Sequence, residues 1–572
     1  MKNKEIARML YEIADILEVQ EVQWKPRAYR KAARSIESLG EDIEEIYKKG
    51  KKEALENIPG VGVSIAEKIE EYLKTGKRRY YNTLKKKLPV DFDTLTRIPG
   101  LGPKKVKILY KKLGIRNIKD LEKAAKKGKI KGLEGFGEKS EQEILSGLGM
   151  LAKIKGRQLL GYMLPVAEQI RDELKKNKAV EQIELVGSLR RMKETIGDID
   201  ILVVSKHPKS VMDAFTSLKQ VDKVIAKGES KSTIFLDAGV DCDLRVFKKE
   251  QFGAAMMYFT GSKAHNISLR KIVMKKGWKL NEYGLFRGKT QIAGKTEEDM
   301  YKKLGMQFIH PEMREDKGEI ELAIKKKLPK LIGYNDVYGD LQMHSKWSDG
   351  ANSIKEMAQA AKKLGHKYIA ITDHSLSDLA IAHGLKESDF KKQAKEITET
   401  NKTVSGITVL QGVEANIRKD GSVDVPNKIL KELDIVLAAV HSNFKMPKEK
   451  MTKRIMKAID NEYVDILSHP TGRMIGKREP YQLDMGAVLD KAKETNTILE
   501  INAFPERLDL SPEHVREAVK RNIKISIGTD AHSTEHLKFI RYGIGTARRG
   551  WAEKKDIINT AKTVNELKKK LK

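Results

Sequence analysis

One cysteine in 572 residues, Cys242, has no partner for an internal disulfide, so the fold does not depend on an oxidising compartment or a secretory route. Uncharged apolar runs long enough to span a membrane are missing as well. The N-terminal MKNKEIARMLYEIADILEVQ sets Ile6, Leu10, Ile13, Ile16 and Leu17 at helical spacing between charges, unlike the unbroken apolar core of a signal peptide. The expectation is a cytoplasmic monomer with no membrane partner. Acidic residues are the other shortage, 80 against 111 lysines and arginines, which leaves a formal charge of +31. That excess favours a polyanionic partner such as nucleic acid, although charge alone does not separate this from a solvated, lysine-rich surface. With 40% hydrophobic residues, the chain can fill the cores of several domains.

What is present begins with a repeat. IPGVGVSIAEKI from Ile58, IPGLGPKKVKIL from Ile98 and, more loosely, LEGFGEKSEQEIL from Leu133 each place Gly-x-Gly between apolar residues where a helical pattern opens. Such glycines let a backbone approach closely, and the unpaired N–H groups of the following helix suit a phosphate oxygen. Gly60, Gly62, Gly100 and Gly102 are therefore candidate DNA-backbone contacts, which would grip without reading sequence. The repeats resemble helix-hairpin-helix elements; the third copy serves equally well as a structural turn.

The segment GSLRRMKETIGDID, Gly187 to Asp200, follows the strand-like IELV and runs into IGDIDILVVS, a second strand with Asp198 and Asp200 on one face. A third strand-like run, VDCDLRVF, brings Asp243 to the same site if it lies alongside in the sheet. Three neighbouring carboxylates repel unless cations separate them, and oxygen-ligated divalent ions are what phosphoryl transfer uses. Ser188 and Arg191 are placed to bind the outer phosphates of a nucleotide.

The order G-S, R-R, G-D-x-D and later D-L-R resembles the nucleotidyltransferase palm of family X DNA polymerases, the DNA polymerase beta kind. The resemblance implies Asp198, Asp200 and Asp243 as catalytic metal ligands for Mg²⁺ or Mn²⁺, with Asp243 preferred to Asp241 because it directly precedes Leu-Arg. It also implies Gly187, Ser188, Arg191 and Gly197 against the dNTP. YFTGSKAHN with Arg270 and LNEYGLF resembles the family's thumb, which adds Tyr258, Phe259, Gly261, Asn266 and Arg270 to the nucleotide site. WKPRAYRKAA resembles the small lyase-like domain, with Lys25 toward a 5′-phosphate. Lys68 stands where lyase-active members keep a Schiff-base lysine, and Ser64 where they often carry another lysine. A lysine attacks an aldehyde only when neutral, so lyase chemistry requires a lowered pKa at Lys68.

Beyond Gly339 residue usage changes, and nine of the twelve histidines lie there. DLQMHSKWSDG carries His344 and Asp349, KYIAITDHS ends at His374, TVLQGVEAN carries Glu414, IVLAAVHS ends at His441, VDILSHP at His469, and IKISIGTDAH at Asp530 and His532. Repeated strand-then-ligand segments alternating with helical stretches predict a parallel α/β barrel whose ligands converge at one mouth. His366, His383, His514 and His536 fall outside that pattern and read as ordinary hydrogen-bonded histidines. The arrangement resembles a PHP domain (polymerase and histidinol phosphatase superfamily). The resemblance implies a Zn²⁺ or Mn²⁺ cluster: His344, Glu414 and Asp530 on one ion, Glu414, His441 and His469 on a second, Asp349, His374 and His532 on a third. Gln342 departs from the histidine usual two positions before His344, which weakens the first ion's site.

The expected fold is multidomain: an α-helical helix-hairpin-helix region, an α+β palm with thumb, and a distorted C-terminal α/β barrel. The boundaries are 1–85 for the lyase-like domain, 86–155 for a fingers-like region, 156–250 for the palm, 251–315 for the thumb, 316–335 for a linker and 336–572 for the PHP domain. The expected function is gap-filling, template-directed polymerisation on gapped or primer-template DNA in base excision repair, with 3′-to-5′ exonucleolytic trimming by the barrel. The alternatives are a DNA-end-binding scaffold with a degenerate barrel, and abasic-site cleavage as an added activity.

Overall fold

Residues 2–571 are described by a computed structural model, apart from 21, 38–41, 88–89, 97, 99–100, 155 and 376–383; for 4, 37, 87, 93, 146 and 150–154 the backbone alone is described. Gly100 and His383 lie outside the described residues.

The N-terminal region is helical, from Lys2–Val19 to Glu138–Ile154. The first two repeats each connect a helix to one that starts directly after the second glycine: Ile43–Glu56 to Val63–Thr75, and Phe92–Thr96 to Pro103–Leu113. Gly62 and Gly102 are the N-cap residues, with no side chain capping the helix and open space where a Cβ would stand. Their helices thus present free N–H groups outward. Gly60 does different work. At φ +84 it packs against helix Lys25–Glu37, where an added Cβ would meet Lys31 Cγ at 2.8 Å. One apolar cluster runs from Ile6 through Val61 and Val106 to Leu148, so the expected lyase-like and fingers-like segments share a continuous core.

The palm is a five-stranded sheet in the order Gln182–Leu185, Asp198–Val204, Asp241–Phe247, Lys231–Leu236, Val221–Lys227. Its two central strands run parallel, with Asp198 opposite Asp241 and Asp200 opposite Asp243. The thumb combines helices Phe252–Thr260 and Lys263–Lys275 with a three-stranded meander, Trp278–Asn281, Gly284–Arg287 and Thr290–Ala293. The charged segment 316–335, expected as a linker, is packed. Ile320, Ala323 and Leu331 join the thumb core, and buried Glu319 accepts from the backbone N–H of Asp316 and Lys317 and pairs with His265 at 2.7 Å. A carboxylate whose lone pairs are satisfied in this way can be buried despite its charge.

Seven parallel strands then follow one another in sequence order: Gly339–Asp340, Tyr368–Ile371, Thr408–Asn416, Ile435–Ala439, Ile466–Leu467, Ile498–Asn502 and Ile525–Gly528. A parallel bridge between Met343 and Ala531, with His344 N–H donating to Ala531 O and Asp530 N–H to Gln342 O, brings the last strand back to the first and nearly closes the barrel.

The barrel docks on both other units. Leu508 and Tyr542 belong to the palm's apolar cluster and Trp551 to the thumb's. Gly161 on the palm and Gly545 on the barrel helix Ile540–Arg549 permit the closest approaches. A Cβ at Gly161 would stand 2.4 Å from Pro505 Cγ, and one at Gly545 2.7 Å from Met192 Cε. Gly161→Val forces Pro505 away, at an overpacking cost of about 1–3 kcal/mol. A lowered melting temperature by calorimetry is the expected outcome, and an unchanged one contradicts this docking.

Candidate functional site

Two constellations form at strand ends. In the palm, the parallel register makes Asp200 and Asp243 direct neighbours, and Asp198 stands two residues earlier on the same face. Gly187 opens the short helix Gly187–Arg190 at φ +65, and a Cβ there would stand 2.3 Å from Asp200 Oδ2. Only glycine lets the turn lie against that carboxylate. Burial, reinforced by the charges of Asp198 and Asp243, pushes the Asp200 carboxyl up to about 7. Carboxylates gathered in this way favour a nearby cation. Ser188 Oγ, in the same turn, is buried with no hydrogen-bond partner among the described residues.

Asp243 is engaged by three groups, two of which stand in no motif of the sequence. It accepts from Thr233 Oγ1 at 2.6 Å and pairs with Lys231 at 3.2 Å and Arg245 at 3.5 Å. Arg245 closes the D-L-R motif, whereas Thr233 and Lys231 are hidden in a strand pattern until the sheet order is known. Asp241, the rival ligand, is exposed and lies across from Asp198.

Arg191 is less free than expected. Burial lowers its pKa; Nε donates to Glu315 Oε1 at 3.1 Å, and NH1 donates to the Thr260 carbonyl, close beside Gly261. Arg190 reaches the thumb through Thr260 Oγ1 at 2.6 Å and Glu297 at 2.5 Å. Gly197 lies against Arg157 NH1. In the thumb, Tyr258 and Phe259 contact edge to face at 5.0 Å, and Arg245 sits over the Phe259 ring at 4.7 Å. Asn266 Nδ2 donates to Tyr258 O at 2.7 Å, and Arg270 Nε to Asn266 O at 3.4 Å. These contacts tie the aromatic pair to the helix that follows it.

At the N-terminus, Lys25 is exposed at the start of its helix. Lys68 Nζ donates to Ser64 O at 2.7 Å and Ser64 Oγ at 2.9 Å and lies 4.7 Å from the Tyr80 ring centre. Its pKa is lowered by burial, with Lys25 adding to the effect and Glu67 opposing it.

The barrel mouth gathers the remaining candidates. Glu414, 1% exposed, lies 2.8 Å from His469 Nε2, 3.3 Å from His441 Nε2, 3.3 Å from His374 Nδ1 and 3.5 Å from His344 Nε2. Burial opposes its ionisation, yet the surrounding imidazoles hold it well below the usual carboxylate range. Asp530 is 3.1 Å from His344 Nε2, and Asp349 is 3.4 Å from His532 Nε2. Three donor sets have ligand atoms all within 4.8 Å of one another: His344, Asp349, His374 and His532; His374, Glu414 and His441; and His344, Glu414 and Asp530. The first and third contain two of the trios implied by the sequence. In the second, His374 takes the place expected of His469, which touches Glu414 directly. Among the described residues these sets all belong to the barrel; Asp198, Asp200 and Asp243 do not form such a set, and Asp243 is held by Thr233.

Hydrogen bonds behind the donors orient them. His441 Nδ1 meets Asn416 Oδ1 at 2.6 Å and His532 Nδ1 meets Asp530 O at 2.7 Å. His344 Nδ1, 3.9 Å from Asp349, and His469 Nδ1 are buried with no hydrogen-bond partner among the described residues. So many convergent imidazole and carboxylate donors fit divalent ions. Gln342 sits fully buried with its Oε1 accepting from Asn502 Nδ2 at 3.2 Å, so its amide oxygen is already engaged. Glu500, Asn502 and Arg507 also reach this mouth. Burial raises the Glu500 carboxyl well above its usual range, and Arg507 Nε lies 3.5 Å from Asp530. The run ILEIN carried the same strand-end signal as the chosen segments and was the one to follow.

Residues 1–78 match a helix-hairpin-helix domain, 92–149 a SAM-like helix-hairpin-helix tandem, 167–269 the nucleotidyltransferase domain, 255–315 the DNA polymerase beta thumb and 340–504 the PHP domain. The chain is 38% identical over 567 residues to the DNA polymerase/3′-5′ exonuclease PolX of Bacillus subtilis (strain 168), covering 98% of this chain and 97% of that one. A stretch of the chain is 36% identical over 191 residues to a probable phosphatase of Thermoanaerobacter sp. (strain X514) and 34% identical over 191 residues to one of Caldanaerobacter subterraneus, covering 32% of this chain and 73% and 70% of theirs. Identity sustained along nearly the whole of both chains, over a palm, a thumb and a ligand-lined barrel, places this protein among the family X DNA polymerases that carry a C-terminal PHP domain.

Proposed function

We propose that this family X polymerase fills short gaps in DNA during base excision repair and that its PHP domain removes nucleotides from 3′ ends. The observation that carries the polymerase reading is the parallel register of Asp200 and Asp243 with Gly187 packed on Asp200. The nuclease reading is carried by Glu414 set among four imidazoles, and the Bacillus subtilis relative named for both activities supports the pair. The fit of the DNA end is supported by exposed Lys25 and by the uncapped helix starts at Gly62 and Gly102. The intact chain acts as a cytoplasmic monomer in this reading.

The all-oxygen palm set suits Mg²⁺ or Mn²⁺ and the imidazole-rich barrel set suits Zn²⁺ or Mn²⁺; ions bound there supply Lewis acidity and neutralise charge at phosphorus. The chain's own groups do the placing. Gly187 brings its turn close enough for the Ser188 hydroxyl to donate to a phosphate oxygen, and Arg191 opposes the triphosphate charge. The Tyr258–Gly261 backbone, fixed by Asn266, lies where the sugar passes, and Arg270 supports Asn266. In the barrel, Asn416 holds the His441 imidazole in its orientation and the Asp530 carbonyl holds that of His532. The otherwise complete donor set argues against a degenerate barrel, despite Gln342.

Asp198→Ala with Asp200→Ala is expected to abolish extension across a gapped primer-template in Mg²⁺; extension that survives rejects the palm assignment. His344→Ala or Glu414→Ala is expected to abolish Mn²⁺-dependent degradation of a 3′ end and to lower bound metal in elemental analysis, with polymerisation retained. Equal loss of both activities contradicts separate sites. Lyase activity is supported by the lowered pKa of Lys68. Borohydride is therefore expected to trap an adduct with a 5′-deoxyribose-phosphate end, and an adduct of equal yield in Lys68→Ala rules this lysine out.

A further inference from the structure

We propose that Arg549, a residue of the PHP domain, is a positioning residue of the polymerase site, which presents Arg191 to the incoming nucleotide by competing for Glu315. The inference rests on the reading of Arg191 as a triphosphate-binding group.

Three domains meet at one carboxylate. Glu315, at the end of the thumb, accepts at the same Oε1 from Arg191 Nε of the palm at 3.1 Å and from Arg549 NH1 of the barrel at 3.2 Å, and Lys193 Nζ stands 3.9 Å away. Arg549 NH1 also donates to the Arg191 main-chain carbonyl at 2.8 Å, so the barrel holds both the side chain's partner and the backbone of the turn. The joint is nearly dry, with Arg549 4%, Arg191 14% and Glu315 18% exposed. Next to it, Met192 at φ +52 packs onto Gly545 of the same barrel helix.

The charge balance gives this arrangement a direction. Two guanidiniums and an ammonium share a single carboxylate, which leaves the cluster with excess positive charge where a triphosphate has to bind. Arg191 uses Nε on Glu315 and NH1 on the Thr260 carbonyl, and NH2 has no hydrogen-bond partner among the described residues. While Arg549 draws on Glu315, the carboxylate cannot neutralise Arg191 fully, and NH2 remains for a phosphate oxygen. Without Arg549, Glu315 keeps Arg191 as its hydrogen-bonded partner, with Lys193 farther off at 3.9 Å, and draws Arg191 off the nucleotide.

The test uses the full-length chain, dNTP affinity measured at equilibrium on a dideoxy-terminated gapped primer, and kcat and KM on the extendable primer. Arg549→Met is expected to weaken dNTP binding about tenfold, the scale of one buried charge-assisted hydrogen bond, chiefly in KM. Its exonuclease rate on a single-stranded 3′ end is expected to match the parent's, since Arg549 donates to no group at the barrel mouth. Arg549→Lys, which keeps a charge beside Glu315, is expected to recover most of the affinity. Affinity within about twofold of the parent in Arg549→Met overturns the inference. Should that variant lose its exonuclease through misfolding, the decision passes to Arg549→Lys and to Glu315→Gln, which leaves a neutral amide between the arginines. Unchanged affinity in both overturns it too. If Arg191→Ala binds dNTP as tightly as the parent, the reading of Arg191 itself falls; if Arg191→Ala is weakened and Arg549→Met is not, the positioning role alone falls.

Discussion

Acidic side chains crowded at the ends of parallel strands are the constraint on which both sites depend. A parallel register brings carboxylates from neighbouring strands within a few ångströms, where their repulsion has to be offset. The barrel offsets it within the protein: Glu414 is ringed by imidazoles and is held ionised despite its burial. The palm offsets it in part. Lys231 and Arg245 engage Asp243, and Asp200 is left buried with its carboxyl raised toward neutrality. The same electrostatic problem is thus met by imidazoles in the barrel and, at Asp243, by Lys231 and Arg245 in the palm.

The two sites share a frame. Glycines at Gly161 and Gly545 let palm and barrel backbones approach until Pro505 and Met192 fill the space, and Tyr542, Leu508 and Trp551 extend barrel side chains into the palm and thumb cores. Ion pairs seal the edges: Arg541 with Glu168, Arg473 with Glu194 and Arg548 with Glu312. Interpenetrating cores of this kind make relative motion costly, in contrast with the small polar contacts usual between mobile domains. The loop that carries Arg507 to the barrel mouth is the loop whose Pro505 meets the palm, so the nuclease mouth and the polymerase frame are parts of one packed layer.

The N-terminal repeats present a different kind of surface. The helices that begin at Gly62 and Gly102 keep their first N–H groups free of side-chain caps; Lys68 lies on the first of them and Lys25 opens the helix Lys25–Glu37, against which Gly60 packs. A positive balance of +31 spread over the chain favours backbone contacts over base reading. Gly60 shows that glycines in one motif divide the labour, one for packing and the next for an open helix start.

The linear chain was enough for the domain order, the repeated Gly-x-Gly turns, the two palm aspartates at alternate positions and the strand-then-ligand rhythm of the barrel, because each is a local pattern with a fixed period or spacing. Strand order is not local. Only the folded sheet put Asp243 opposite Asp200, gave it Thr233 and Lys231 as partners, set His374 beside Glu414 and turned segment 316–335 from an expected linker into part of the thumb core. Glu315, Arg191 and Arg549 belong to three different domains, and no spacing along the chain could have joined them. Tertiary packing decided which charges share a dry space, since Coulomb energy depends on separation and burial, and neither is written in sequence distance.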